Sequence, residues 1–184
     1  MRPAANVEQV FALGIDPGLS RCGYGAVRGE GGRLEVVAFG HLETPTSDPV
    51  STRLGLLLDD LQELIADLRP DVMVVERVLF QVNARTAMSV GQASGIALLT
   101  AASAGLPVVE YSANEVKLAV AGYGGATKDQ VQRMVATLCG LHEVPRPPDV
   151  ADALALALCH LAASRTARRI PATSGPVRPA TTSR

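Results

Sequence analysis

Hydrophobic and polar positions alternate with two different periods along the chain. Residues 10–16, 22–28 and 34–41 are short apolar-rich runs separated by Asp16-Pro17-Gly18 and by Gly29-Glu30-Gly31-Gly32. Turn segments this short admit hairpins but not crossover helices, so the pattern predicts an antiparallel three-strand meander. From Ser51 the period lengthens. Leu54, Leu57, Leu58, Leu61, Leu64, Ile65 and Leu68 trace the stripe of an amphipathic helix that Pro70 ends.

Val72-Met73-Val74-Val75 is an unbroken apolar run of strand length that stops at Glu76, and Pro107 to Tyr111 is a second. Asn83 is placed to cap a helix running to about Ala104, in which Gly91 and Gly95 would let another backbone approach closely. Ser112-Ala-Asn-Glu115 and Thr127-Lys-Asp-Gln130 fit the capping-box pattern and predict helices at about 113–121 and 128–139. A last helix is expected from Pro148 to about Ser164. A meander followed by helix, strand, helix, strand gives a mixed α/β sheet of five strands, three antiparallel then two parallel, with helices on both faces. That is the order of a ribonuclease-H-like fold.

Composition changes this picture little. With 184 residues and 47% apolar positions, one compact domain is expected over residues 10–164, preceded by a short extension at 1–9. The Pro-, Ser-, Thr- and Arg-rich segment 165–184 is expected to be a disordered basic tail. It holds five arginines and no acid, leaving 12 bases against 18 acids in the body, so no strongly basic face announces nucleic acid. No apolar stretch is long enough for a membrane span and no secretion signal is visible, which points to the cytoplasm. Cys22, Cys139 and Cys159 are odd in number and unpaired in spacing, so they are expected to be reduced core residues; His41, His142 and His160 are equally scattered.

The chemistry lies in the acids. Asp16 ends the first strand at a sharp turn, where Asp-Pro-Gly is also ordinary turn chemistry. Glu76 ends a strand that should be buried, a costly place for an uncompensated carboxylate. Asp149 and Asp152, three residues apart, share one face of a helix's first turn, where the helix dipole alone would favour them. Together, two strand ends and a helix start would gather four carboxylates in one pocket. Oxygen-only ligands select hard cations such as Mg²⁺ or Mn²⁺.

Leu-Gly-Ile-Asp-Pro-Gly (13–18), Val-Val-Glu-Arg-Val (74–78), Gly-Gln-Ala-Ser-Gly (91–95) and Asp-Val-Ala-Asp-Ala-Leu-Ala (149–155) occur in the order and spacing of a known family. From about Phe11 to Leu161 the chain resembles the bacterial RuvC Holliday-junction resolvases. The resemblance implies a homodimer that nicks four-way junction DNA symmetrically, working beside a RuvA–RuvB branch-migration complex. It also implies two divalent metals, Mg²⁺ or Mn²⁺, held by Asp16, Glu76, Asp149 and Asp152 as the catalytic set.

Lys117 and Lys128 match positions where similar proteins carry bases near the active site, which implies phosphate contacts; by sequence alone both read equally as solvated lysines, and Lys128 stands on the unfavourable end of a helix dipole. The family pattern places an aromatic three residues beyond the glutamate. Here Leu79 stands there and Phe80 follows, so either Phe80 stacks on an unpaired base or Leu79 acts as an apolar wedge. Arg77, Gln81, Asn83 and Arg85 flank that segment as candidate DNA contacts or as a solvated loop. An actin-like ATPase would need a second domain and a phosphate loop that the chain lacks. A binding-only relative would be expected to have lost one of the four acids.

Overall fold

In a computed structural model of the protein, residues 9–77 and 84–169 are described. The elements run β1 (Val10–Asp16), β2 (Arg21–Glu30), β3 (Arg33–Glu43), α1 (Val50–Leu68), β4 (Val72–Glu76), α2 (Ala84–Ser103), β5 (Val108–Tyr111), α3 (Ala113–Ala121), α4 (Lys128–Leu138) and α5 (Pro148–Arg169). The sheet order is β3-β2-β1-β4-β5. β1–β2 and β2–β3 are antiparallel, and β1–β4 and β4–β5 parallel. This is the mixed sheet the pattern predicts.

Two cores lie on opposite faces of the sheet, and the central strands divide their side chains between them by the two-residue period of a strand. Leu13, Ile15, Met73 and Val75 point with Leu57 and Leu61 toward α1 and α2. Ala12, Val72 and Val74 pack with Leu154 and Leu158 of α5. Burial on both faces explains why β4 is an unbroken apolar run rather than an alternating one. α1 ends where Arg69 turns left-handed, φ 51°, its N–H donating to the Ile65 carbonyl, one residue before Pro70.

The second face carries α5 against the sheet without a spacer. A Cβ on Gly14 would lie 2.0 Å from the Ala153 carbonyl oxygen, and one on Gly23 would lie 2.1 Å from that of Asp149. Only glycine admits such backbone contact. Gly91 and Gly95, where sequence suggests a close approach, have nothing within 4 Å of an added Cβ; both sit on the exposed side of α2, turned away from the sheet. α5 runs five residues beyond the expected Ser164, and residues 170–184 lie outside the described ones. Among the described residues no helix is long and apolar enough to cross a membrane.

Candidate active site

Parallel pairing of β1 and β4 sends the two strands out of the sheet in one direction, Ile15 standing opposite Val75, so that Asp16 and Glu76 emerge side by side. The glycine contacts then bring the first turn of α5, with Asp149 and Asp152, down onto the same edge. All four acids are half-buried. Burial, followed by the charges of Asp152, Glu76 and Asp149, pushes the Asp16 carboxyl up from 3.8 to about 7, with Lys128 opposing. Glu76 is raised as well, first by burial and then by Asp152, while Lys128 and Lys117 pull it down.

Asp152, Glu76 and Asp149 all lie close enough to Asp16 for their charges to act on it. Among the described residues no three Asp, Glu, His or Cys side chains are arranged to hold one metal ion. Each aspartate of α5 has its own cation: Lys128 Nζ lies 2.6 Å from Asp152 Oδ2, and Arg21 Nη1 lies 3.5 Å from Asp149 Oδ2. The donor chemistry fits a hard divalent cation: the four acids offer oxygen only, and Asp16 is raised first by burial and then by its carboxylate neighbours.

Lys128 is the first residue of α4, placed there by a capping box in which Thr127 accepts from the Gln130 N–H and the Gln130 side chain accepts from the Thr127 N–H. Burial disfavours its charge, but the hydrogen bond to Asp152 and the charges of Asp152, Asp16 and Asp149 outweigh that, so its pKa is raised. The acid cluster compensates the unfavourable helix dipole. Lys117, on α3, faces the same edge close enough to act on Glu76.

The turn carrying Asp16 is held from outside the site, by residues the sequence reading passed over. Arg53, buried on α1, donates from Nε to the Thr44 hydroxyl at 3.0 Å and from Nη2 to the Ser20 hydroxyl at 2.7 Å. Thr44 in turn donates to the Leu19 carbonyl. A buried arginine at the first turn of an otherwise leucine-lined stripe was the available signal. Arg21 carried none.

Of the other candidates, Arg77 is exposed, its backbone N–H donating to the Tyr111 carbonyl and its guanidinium to that of Glu110 at 3.3 Å, so it is tied to β5. Leu79, Phe80, Gln81 and Asn83 lie outside the described residues, as does the side chain of Arg85. Cys22 and Cys159 are buried and Cys139 half-buried, with burial pushing their thiols up to about 12, 11 and 11 respectively. His160 sits between the Tyr111 and Ser164 hydroxyls.

The family model described as "Crossover junction endodeoxyribonuclease RuvC" matches residues 12–160. A protein of that name from Moorella thermoacetica is 50% identical over 151 residues, 82% of this chain and 90% of the relative. One from Chloroflexus aggregans is 51% identical over 158 residues, 86% and 96%. The solved structure "T. thermophilus RuvC in complex with Holliday junction substrate" superposes with a TM-score of 0.81 at 36% identity, covering 86% of this chain and 96% of that one.

Proposed function

The chain belongs to the RuvC family of crossover junction endodeoxyribonucleases, and from that premise we propose that it resolves four-way DNA junctions by paired symmetric nicks in recombination and repair. The observation that carries the reading is the acid edge itself: Asp16 held up near 7 by burial and by Asp152, Glu76 and Asp149. A half-buried group of carboxylates is a site for cations.

In this reading Asp16, Glu76, Asp149 and Asp152 are the catalytic set and hold divalent metal, two Mg²⁺ per site with Mn²⁺ as a substitute. Bound there, the ions supply an activated water and charge for the leaving 3′-oxygen. The chain's own residues do the rest. The strand ends hold Asp16 and Glu76 rigidly, the Arg53–Ser20–Thr44 network fixes the Asp16 turn, and half-burial limits competing water. Lys128 exchanges its bond to Asp152 for a phosphate oxygen, and Lys117 neutralises the same strand from the α3 side. Leu79 or Phe80, with Arg77, Asn83 and Arg85, serves the unpaired bases and phosphates near the crossover. The products are 5′-phosphate and 3′-hydroxyl ends.

Two matched cuts call for two sites, hence a homodimer. The outer stripe of α2, with Met88 66% and Leu99 55% exposed beside Gly91 and Gly95, is the surface for it. The cytoplasm and a RuvA–RuvB complex complete the setting, with the arginines of 165–184 adding salt-sensitive attraction to DNA.

The test is nicking of a labelled synthetic four-way junction in Mg²⁺, with linear duplex as control. Wild type is expected to cut the junction selectively, and Asp16→Asn to bind it but cut at least about a hundredfold more slowly, since it removes a charge needed to hold the metal. Binding without cutting by the wild type in any divalent metal would overturn the reading.

A further inference from the structure

The glycine contacts seat α5 on β1 and β2, the side of the sheet from which Asp16 emerges. On the other side, toward Glu76, stands β5, an edge strand of four residues none of which is buried. Val109 and Tyr111 of that strand lie against the core of the α5 face. From Ala153 to Ala163, α5 is alanine, leucine and one cysteine except for His160. Apolar contact of this kind is non-directional and lets a helix slide along a strand. A hydrogen bond has a defined length and direction. The Tyr111 hydroxyl meets His160 Nδ1 at 3.1 Å, the rings tilted 59° with centroids 6.1 Å apart, and the Ser164 hydroxyl meets Nε2 at 3.3 Å. Both ring nitrogens are thus engaged. Burial pushes the His160 pKa below its ordinary value, toward the neutral ring that donates from one nitrogen and accepts at the other.

We propose that Tyr111 and His160 are positioning residues for strand cleavage, their hydrogen bond setting α5, and with it Asp152, against the β4 exit that carries Glu76. The inference rests on the junction-cleaving reading above and deepens it by naming what aligns two of its acids. Tyr111 reaches both elements. Its backbone is the register partner of Glu76, and its carbonyl accepts from the Arg77 N–H at 2.8 Å, so the main chain at the strand exit is fixed relative to it. Its side chain binds the helix eight residues beyond Asp152, about 12 Å along the axis at 1.5 Å per residue. After burial itself, Asp152 is the strongest influence on the Glu76 carboxyl, so a shift of α5 along β5 alters that pair first. A misplacement of about 1 Å at a reacting centre costs on the order of a hundredfold in rate, and a helix loosened by one bond is expected to cost about a tenth of that.

The test is a double-mutant cycle on junction cleavage at saturating Mg²⁺, with Tyr111→Phe, His160→Gln and their combination, and with His160→Asn as the rescue. Phenylalanine keeps the ring and removes the hydroxyl. Glutamine places its amide where Nε2 stood and leaves Tyr111 without a partner, whereas asparagine places its amide where Nδ1 stood and keeps one. Tyr111→Phe and His160→Gln are each expected to lower kcat about tenfold with KM for the junction within about twofold of wild type, because both residues are half-buried away from the DNA. The double variant is expected to be no slower than either, since both changes remove one bond. His160→Asn is expected to return to within about threefold of wild type. Mn²⁺ titrations followed by the rise in melting temperature give the same comparison without catalysis: Tyr111→Phe and His160→Gln are expected to need about tenfold more Mn²⁺ for half the full rise, and His160→Asn about as much as wild type. A role in stability alone would lower the melting temperatures and leave kcat and the Mn²⁺ midpoint in place, which overturns the proposal. So do losses that multiply in the double variant, or an asparagine variant no better than the glutamine one. Failure of wild type to cut the intact junction is a different result: it overturns the resolvase reading, and the Mn²⁺ titrations then decide the positioning role by themselves.

Discussion

The two faces of the sheet are packed by different means. On one, α1 meets the strands through full side chains, Leu57, Leu61 and Ile65 against Leu13, Ile15 and Met73. On the other, α5 meets β1 and β2 backbone to backbone at Gly14 and Gly23. The first arrangement is a hydrophobic layer that tolerates small adjustments of a helix by repacking. The second fixes a helix to within a fraction of an ångström, and it is the helix that carries Asp149 and Asp152. The close contact lies under the acid edge and the adjustable layer opposite it.

Breaking the close contact should have the largest effect. Gly14→Ala puts a methyl 2.0 Å from the Ala153 carbonyl oxygen and 2.9 Å from the Ala157 nitrogen, both backbone atoms that cannot swing aside. Urea unfolding is expected to show a loss of about 3–5 kcal/mol, with junction cleavage lost even where the protein remains folded, because Asp149 and Asp152 move with α5.

A smaller effect of opposite sign is expected at the acids. The folded-state pKa of Asp16, about 7, lies above its value of 3.8 in the unfolded chain, so the folded state binds the proton more tightly. Stability of the metal-free protein therefore falls as pH rises from about 4 to 7 and stays lowered above that. At about 1.36 kcal/mol per unit the ceiling is roughly 4 kcal/mol; part of the burial cost remains for an amide, leaving about 2 kcal/mol gained by Asp16→Asn in EDTA at pH 8 and little at pH 4. Thermal melts across that range would show it, and an Asp16→Asn that is no more stable than wild type at pH 8 would contradict it.

The smallest effect belongs to the far face. Gly95→Ala on α2 meets no neighbour within the chain, so dilute protein is expected to gain about 1 kcal/mol from helix propensity. If a second copy packs on that stripe, sedimentation should show self-association weakened by the same substitution; unchanged association would move the dimer surface elsewhere.

The sequence revealed what periodicity and capping control. α1 and α3 follow the predicted bounds to within a residue, and both capping boxes form, because these features are local. Glycines divide more sharply. Gly91 and Gly95 drew attention by their helical spacing, whereas Gly14, Gly23 and Gly25, which admit α5, sit in strands where an isolated glycine reads only as a weak point. Their role depends on an element more than 120 residues later in the chain. The acids were visible as residues at element ends, but the cations paired with two of them were not. Arg21 and Lys128 take partners set by register and helix placement rather than by spacing in sequence.

The order in which the elements appear has a consequence during synthesis. α5 is the last element of the described fold, yet it lies across β1 and β2, the first two, and it supplies half of the acids. A nascent chain that has emerged only through α4 displays Asp16 and Glu76 on an edge with the α5 core still open to water. The acid edge is completed only when this late helix docks onto strands made well before it, so a chain stalled before α5 lacks Asp149 and Asp152.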